Sequence, residues 1–401
     1  MRRVIGILGC LMVCLTLWGQ EITRLDGRRI SSMDIDKYVA ELMERTQIEG
    51  VGLSILNNNR VVYLRSFGYR NMPAGELLDT ATIMYGASLS KSVFAYLVMA
   101  LVERGYLELD RPLYRYLRKP LPEYPYFADL KSDPRWEKFT ARMCLTHTTG
   151  LPNVRWINPV SGEEDTLGTM RIYLDPGTKY AYSGEGFKLL QLAVEEVTGK
   201  SVDALAVEYV FAPLGMTRTG YIWHDSFGDG NVAVGHLENG AIDRKRKRTE
   251  AVAGGSLVTS IADYTRFVEA IMQRKGLSRA SLDTMQFPQV RIHSVTQFPP
   301  ITFETTNEND AAQLSYALGW GYLHCPYGRA IFKEGNGGAW RNYNINFIDK
   351  GVSVVILVNS EHGERIFRPL LESLLGDNCI PWKWEGFVSL PEHEVLIPVL
   401  Q

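Results

Sequence analysis

Apolar residues follow helical spacing in some parts of the chain and extended spacing in others. Residues 34–47 place their apolar side chains on one face, which predicts an amphipathic helix. Segments 51–56 and 61–64 are rich in apolar and β-branched residues and flank three consecutive asparagines, a pattern that predicts a β-hairpin. Residues 88–104 are apolar almost all round. They are therefore expected to form a helix in the protein interior, not on its surface.

The middle of the chain differs from its two ends. Residues 106–250 are rich in proline and glycine and are predicted to be mainly helices and loops, the clearest helix covering 187–198. A further helix is predicted at about 261–274 and a closing helix at about 363–375. Strand patterns return between these last two helices, at 322–323, 330–332, 343–347 and 352–358.

Strands at both ends with a helical middle predict a mixed α/β (α+β) fold. We expect an antiparallel sheet built from both chain ends and flanked by helices, with an inserted, mainly helical lobe. The α/β lobe would comprise about 21–87 and 251–401, and the helical lobe about 88–250. Ligand sites favour junctions of this kind, so the functional site is expected between the two lobes.

Composition narrows the class of partner. A chain of 401 residues with 45% hydrophobic and 22% charged residues is typical of a globular protein with a large core. Its formal net charge of −2 argues against nucleic acid, because binding phosphates requires a basic face. We expect a small-molecule or peptide substrate and a monomeric protein. The basic run at 244–248 is interpreted as a solvated loop.

The first twenty residues are expected to direct export. Arg2 and Arg3 precede an apolar stretch of about fifteen residues, and the first acidic residue is Glu21. The stretch is short for a membrane-spanning helix. Residues 1–20 are therefore predicted to be a signal peptide, with 21–401 as a catalytic domain in the bacterial periplasm, cell envelope or medium. An uncleaved N-terminal anchor is the alternative, and it would be the sole contact with a membrane.

Neither cysteine nor histidine spacing indicates a metal site. Cys144, Cys325 and Cys379 are odd in number and widely spaced, so we interpret them as buried or half-buried thiols without a disulfide framework. The seven histidines lack metal-ligand spacing. His147 and His236 are expected to be structural, and neither a metal nor an organic cofactor is expected.

The sequence Ser88-Leu89-Ser90-Lys91 is the strongest candidate for chemistry. A helix starting near Ser88 would place Lys91 one turn further on the same face, with its amine close to the hydroxyl. The positive end of the helix dipole would stabilise a developing alkoxide or oxyanion. On its own the motif is also compatible with a serine N-cap followed by a solvated lysine.

Four further motifs follow Ser88 in the chain and support a catalytic role for it. They are Thr146-His147-Thr148-Thr149-Gly150-Leu151, Asp175-Pro176-Gly177-Thr178, Tyr182-Ser183-Gly184 and Lys333-Glu334-Gly335. In this order the chain resembles the serine β-lactamase and penicillin-binding-protein superfamily, most closely its class C β-lactamase and esterase branch. The resemblance covers essentially everything after the first twenty residues. It implies a β-lactamase/transpeptidase-like fold and a serine hydrolase.

The resemblance implies a role for each motif. Ser88 would be the nucleophile, and either Lys91 or Tyr182 would accept its proton. A tyrosine with an ordinary pKa of about 10 needs a shift of roughly three units to act near neutrality. We expect Lys91 and Lys333 to supply much of that shift. The oxyanion hole would comprise the backbone N–H groups of Ser88 and Asn336.

Residues around the strand motif would contact the substrate. Gly335 fits a strand that a substrate approaches closely, and Lys333 would attract a substrate carboxylate. Arg341 has two interpretations, a contact with a substrate carboxylate and a surface salt bridge. The proline-rich segment 287–314 is expected to be a long irregular loop that helps to select the substrate.

Two departures from the superfamily's pattern affect substrate choice. Gly184 stands where the lactamase branch has an asparagine whose amide would bind the substrate, and Glu334 replaces a small hydroxyl residue. The candidate substrates are an ester, a β-lactam and a D-amino-acid-containing amide. Gly184 argues against efficient β-lactam turnover. The alternative function is a penicillin-binding sensor that is acylated without turnover.

Overall fold

The computed structural model describes residues 21–228, 230–245 and 247–387, so the predicted signal peptide lies outside the described residues. The strands are β1 (Glu21–Thr23), β2 (Arg29–Ser31), β3 (Gly50–Asn57), β4 (Arg60–Asn71), β5 (Glu76–Leu77), β6 (Met84–Ala87), β7 (Gly235–His236), β8 (Ile242–Asp243), β9 (Leu257–Thr259), β10 (Val290–Arg291), β11 (Ser315–Tyr316), β12 (Gly321–Cys325), β13 (Gly328–Gly337), β14 (Trp340–Phe347) and β15 (Val352–Val358). The α-helices are α1 (Ser32–Thr46), α2 (Ser90–Glu103), α3 (Ala141–Leu145), α4 (Gly184–Thr198), α5 (Val202–Ala206), α6 (Ala212–Leu214), α7 (Ile261–Met272), α8 (Arg279–Gln286), α9 (Phe367–Leu375) and α10 (Trp382–Glu385).

The main sheet is assembled from both ends of the chain, as predicted. In the described part of the chain it has nine antiparallel strands in the order β10-β11-β12-β13-β14-β15-β3-β4-β5. The two ends meet where β15 pairs with β3, with Val358 opposite Val51. The predicted hairpin is β3–β4. Its turn residues Asn58 and Asn59 both adopt left-handed backbone conformations, which asparagine tolerates better than most residues.

Helices cover both faces of this sheet. On one face α1 and α9 contribute buried side chains such as Val39, Leu42 and Leu371 to a core shared with β3, β14 and β15. On the other face α7 lies against β3 and β15. There Gly52 permits the close approach, because a Cβ at this position would lie 3.0 Å from that of Ile261. The amphipathic patterns of these helices therefore correspond to single buried faces.

Helix α2 lies in the protein interior, as its apolar sequence predicts. Every side chain from Ser90 to Leu101 is buried. The helix begins two residues later than expected, so Ser88 lies in the turn between β6 and α2. Strand β6 pairs with β9, and the mainly helical middle of the chain lies between these two strands in sequence. The β6–β9 pair thus holds both ends of that middle segment beside the large sheet.

Two features differ from the expected course of the backbone. Before α3 the chain forms successive 3₁₀ turns, at Leu113–Tyr116, Leu121–Glu123, Pro125–Ser132 and Pro134–Lys138. The segment 287–314 includes β10, which pairs with β11 and so extends the main sheet. Within the described residues, no helix combines the length and the apolar character needed to cross a membrane.

Candidate active site

A constrained turn positions Ser88. Ala87, the residue before it, has a φ of 47°, a backbone conformation that a residue with a Cβ adopts only when its surroundings hold it there. The Ser90 hydroxyl donates to the Ala87 carbonyl and accepts from the Leu257 N–H at 3.0 Å. Ser90 therefore ties the turn to β9. The Ser88 side chain is partly exposed and accessible to a substrate.

Lys91 lies one turn from Ser88 and is buried. Its Nζ is 3.1 Å from Ser88 Oγ and donates to the Gly254 carbonyl at 2.6 Å. Only 3% of the side chain is exposed, so the alternative of a solvated lysine is wrong. Burial lowers the pKa of Lys91 well below its usual value, and the charge of Lys333 lowers it further, while Glu334 acts in the opposite direction. The site therefore favours a neutral amine beside the hydroxyl.

The ring of Tyr182 is held by aromatic stacking and lies beneath both lysines. His147 stacks on Tyr182 with ring centroids 4.3 Å apart, and its Nδ1 accepts from the Ser183 N–H at 2.9 Å. Its Nε2 lies 3.2 Å from the hydroxyl of Tyr316. Burial lowers the pKa of His147 well below its usual range, and the two lysines lower it further. His147 is thus a neutral structural residue, as expected.

Lys333 connects Tyr182 to a carboxylate. Its Nζ lies 3.2 Å from Tyr182 Oη and 2.6 Å from Glu334 Oε1, and all three side chains are buried. Burial lowers the pKa of Lys333, whereas Glu334 raises it. The pKa of Tyr182 is raised well above its usual value by burial and then by Glu334, although a hydrogen bond with Ser88 opposes this. The expectation that the two lysines depress the pKa of Tyr182 is therefore wrong.

Glu334 belongs to a buried network that the sequence pattern does not predict. Its carboxylate also accepts a hydrogen bond from Gln297 Nε2 at 3.1 Å. Behind it lies Glu385, which accepts from the hydroxyl of Tyr343 and whose pKa is raised well above its usual value by burial and by Glu334. The available sequence signal was a glutamate directly after a lysine, at the end of the apolar strand predicted at 330–332. It pointed to an internal ion pair.

The strand motif brings a free backbone edge to the nucleophile. Strand β12 pairs with β13 only as far as Phe332, so the following residues of β13 are not paired with β12. A Cβ on Gly335 would lie 2.5 Å from the Gly86 carbonyl oxygen, so glycine allows β13 to lie against the turn that holds Ser88. Asn336 follows and is exposed. An extended substrate could therefore lie along this edge.

Gly184 begins α4 and leaves no room for the asparagine of the lactamase branch. A Cβ at this position would lie 2.5 Å from the backbone oxygen of Asn153, which also accepts the Gly184 N–H at 3.2 Å. The Asn153 side-chain oxygen lies 3.1 Å from the same Cβ position. The loop containing Asn153 therefore fills the space that a side chain at 184 would occupy.

Arg341 forms a salt bridge, the second of the two interactions considered for it. Its Nε donates to Glu364 at 2.9 Å, and the same guanidinium donates to the carbonyls of Gly338 and Trp340. Its backbone lies opposite Asn336 across β13 and β14. Because its charge is already neutralised by Glu364, the structure gives no support to a substrate carboxylate contact.

A residue from the long segment 287–314 lies over the site. The ring of Phe298 is 5.2 Å from that of Tyr182 and is 45% exposed. The neighbouring residue Gln297 is the partner of Glu334 described above. Neither residue belongs to a periodic pattern, so sequence analysis could place the loop near the site but could not select these two side chains.

The described residues contain no group of histidine, cysteine, aspartate and glutamate side chains able to hold a metal ion. Cys144 and Cys325 are buried and Cys379 is half-buried, and all three are free thiols, as expected. Burial, together with the neighbouring Cys325, raises the pKa of Cys379 to about 12. This thiol therefore stays protonated at neutral pH.

Comparisons with known proteins identify a family and a similar fold. The model of the family described as Beta-lactamase matches residues 35–375. Penicillin-binding protein 4* of Bacillus subtilis is 24% identical, covering 83% of this chain and 72% of its own. D-alanyl-D-alanine-carboxypeptidase/endopeptidase AmpH of Escherichia coli is also 24% identical, covering 81% of this chain and 83% of its own. The octameric penicillin-binding protein homologue from Pyrococcus abyssi has a similar fold, with a TM-score of 0.70 at 23% identity over 89% of this chain and 80% of its own.

Proposed function

The chain belongs to the beta-lactamase family, and from this premise we propose that it hydrolyses its substrate through an acyl-enzyme on Ser88. The observation that carries the proposal is the 3.1 Å approach of the buried Lys91 amine to the Ser88 hydroxyl. A serine needs a partner that removes its proton, and a lysine with a strongly lowered pKa is such a partner near neutrality.

We assign the first proton transfer to Lys91. Ser88 Oγ attacks the scissile carbonyl carbon while its proton moves to Lys91 Nζ. The tetrahedral intermediate then collapses, and the proton passes to the departing amine or alkoxide. Tyr182 is the weaker candidate for the base, because burial and Glu334 raise its pKa. As a neutral phenol between Lys333 and Ser88, it would orient the nucleophile.

The oxyanion would be stabilised by backbone groups at the junction of two elements. The donors would be the N–H groups of Ser88 and Asn336, and the close packing of β13 on the nucleophile turn through Gly335 supports this assignment. Donors fixed in advance stabilise developing charge without reorganisation, which is the most effective form of electrostatic catalysis. Water would then attack the acyl-enzyme, and Lys91 would accept the water's proton.

We favour a D-amino-acid-containing amide as substrate, ahead of an ester or a β-lactam. One relative is named a D-alanyl-D-alanine-carboxypeptidase/endopeptidase and another a penicillin-binding protein. Gly184 removes the side-chain amide that the lactamase branch carries, which argues against efficient β-lactam turnover. Lys333 is fully buried and already paired with Glu334, so we assign it no contact with the carboxylate of the departing residue. A sensor that is acylated without turnover is the second candidate, and the same missing amide at Gly184 favours it.

We also propose that the protein is exported and monomeric. Export rests on the basic and apolar pattern of residues 1–20. Cell fractionation with antibody detection tests it, and a protein confined to the cytoplasm would refute it. Light scattering of purified 21–401 tests the monomer, and a stable oligomer at micromolar concentration would refute it.

Active-site labelling tests the acyl-enzyme. Wild type and Ser88→Ala are incubated with a fluorescent fluorophosphonate and with a fluorescent penicillin, followed by a panel of D-alanyl peptides and short-chain esters. We expect labelling that requires Ser88, together with turnover of at least one substrate class. Labels that persist in Ser88→Ala would refute the assignment. A permanent penicillin label without turnover of any substrate would favour the sensor.

A further inference from the structure

A second pocket lies next to the nucleophile turn and has no part in the mechanism above. It has a volume of about 280 Å³, and its lining includes Tyr85, Trp223, Arg244, Lys245 and Arg248. Three of these residues come from the basic run that sequence analysis interpreted as a solvated loop. The interpretation as a solvated loop is incomplete, because Arg244, Lys245 and Arg248 line a pocket.

The pocket shares a wall with the active site. The Tyr85 hydroxyl donates to the Gly255 carbonyl at 2.6 Å, and the Lys91 amine donates to the adjacent Gly254 carbonyl at 2.6 Å. Tyr85 precedes Ser88 by three residues, so their Cα atoms are separated by at most roughly 11 Å. The pocket therefore adjoins the turn that holds Ser88.

The pocket also lies at a defined end of the substrate strand. A Cβ on Gly337 would lie 3.1 Å from the ring of Tyr85, and one on Gly338 would lie 2.7 Å from Lys245 Nζ. Lys333 lies four residues before Gly337 on β13, about 13 Å from it at the usual rise of a strand. A substrate along β13 with its departing residue towards Lys333 thus extends its acyl part towards the pocket.

The charge of the lining is positive and only partly neutralised. Asp243 forms an ion pair with Lys245 at 2.6 Å. Within the described residues, the guanidinium groups of Arg244 and Arg248 form no ion pair with a carboxylate, and both side chains are exposed. The backbone N–H of Trp223 donates to the Arg248 carbonyl at 2.8 Å, which holds this segment against the pocket. Two arginines beside aromatic rings are well suited to a carboxylate on an apolar stem.

On the basis of the proposed function, we propose that this pocket binds a carboxylate carried by the acyl part of the substrate. The preferred acyl donors would then have an acidic side chain or a free carboxylate several bonds from the scissile carbonyl. The flexible stem would pack on Tyr85 and Trp223, and Arg244 and Arg248 would bind the charge. Lys245 would contribute less, because Asp243 already neutralises it.

A pair of matched esters tests this proposal. The first is the mono-4-nitrophenyl ester of pimelic acid, and the second carries a carboxamide in place of its free carboxylate. Leaving group and chain length are identical. We expect wild-type kcat/KM to favour the carboxylate about tenfold at low ionic strength, the preference residing mainly in KM. The preference should fall as salt is added, because exposed charges are screened.

Substitutions of the two arginines test whether they cause the preference for the ester with a free carboxylate. Arg244→Gln/Arg248→Gln is expected to bring the ratio of the two kcat/KM values close to one. Arg45→Gln removes an exposed arginine from the last turn of α1, outside the pocket, and should leave the ratio unchanged. The ratio compares two substrates on one enzyme, so a general loss of activity does not affect it. If the double variant fails to fold, the single variants Arg244→Gln and Arg248→Gln are measured instead, and each is expected to lower the ratio.

The outcomes separate the two proposals. Absence of Ser88-dependent hydrolysis of both esters, together with absence of Ser88-dependent labelling by the fluorophosphonate and the penicillin, would refute the proposed function. Hydrolysis of both esters with a wild-type ratio near one would refute the pocket assignment and leave the proposed function standing. A tenfold preference that persists in the double variant, or at high salt, would also overturn the assignment.

Discussion

Replacing Gly184 with asparagine is expected to destabilise the protein instead of creating a substrate-binding amide. The new Cβ would lie 2.5 Å from the Asn153 backbone oxygen, closer than non-bonded atoms allow. The loop must move, which weakens the hydrogen bond from the Gly184 N–H to that oxygen. The adjacent bond from the Glu185 N–H to the Pro152 carbonyl weakens with it.

The size of the effect follows from these contacts. Overpacking costs about 1–3 kcal/mol, and the loss of a backbone hydrogen bond adds about 1 kcal/mol, giving about 2–4 kcal/mol in total. For a chain of 401 residues, an unfolding entropy of roughly 0.8 kcal/mol/K converts this to a fall in Tm of about 2–5 °C.

Thermal unfolding followed by circular dichroism measures this effect. Gly184→Ala introduces the same Cβ without the amide, and its Tm should fall by a similar amount. Gly230→Ala is the matched control, because a Cβ there meets no atom within 4 Å. Hydrolysis of a chromogenic cephalosporin by Gly184→Asn should not exceed that of wild type. A Gly184→Asn variant with unchanged Tm and faster cephalosporin turnover would refute the reasoning.

Three further predictions concern the charges of the site. Because burial lowers the pKa of Lys91, its charged form destabilises the folded protein; this cost in stability is complete below the lowered pKa and disappears as pH rises towards 10.5. Lys91→Met should therefore raise Tm most at acid pH, and it should be inactive because it lacks the base. Glu334→Gln should lower the urea-derived unfolding free energy by about 3–5 kcal/mol, against about 0–1 kcal/mol for Glu308→Gln in an exposed pair. Tyr182→Phe should retain fluorophosphonate labelling of Ser88, whereas Lys91→Met should lose it. A flat difference in Tm across pH, equal losses in the two glutamine variants, or loss of labelling in Tyr182→Phe would each contradict the corresponding prediction.

Sequence patterns were sufficient for the architecture. The helical spacing before residue 47, the hairpin around Asn58 and the strand pattern of 352–358 each correspond to an observed element. The apolar run after Ser88 identified the buried helix, although not its first residue. These features follow from local periodicity and turn chemistry, which a single sequence displays directly.

Much of the candidate site depends on contacts between distant segments. The interaction of Glu334 with Lys333 is local, but its effect on Tyr182 arises only after β13 and the start of α4 are brought together. The clash at Gly184 depends on the loop at Asn153. The pocket beside Tyr85 likewise depends on how the basic run folds back. Such effects are set by tertiary packing, which residue spacing alone does not encode.

The acylation of Ser88 is the central claim, and peptide mapping tests it most directly. Wild-type protein is quenched in acid during turnover of a D-alanyl peptide, digested, and analysed by mass spectrometry. The account predicts that the acyl mass increment is on Ser88, and that the increment is absent from Ser88→Ala and Lys91→Met. An increment on another residue, or turnover that persists in Ser88→Ala, would contradict it.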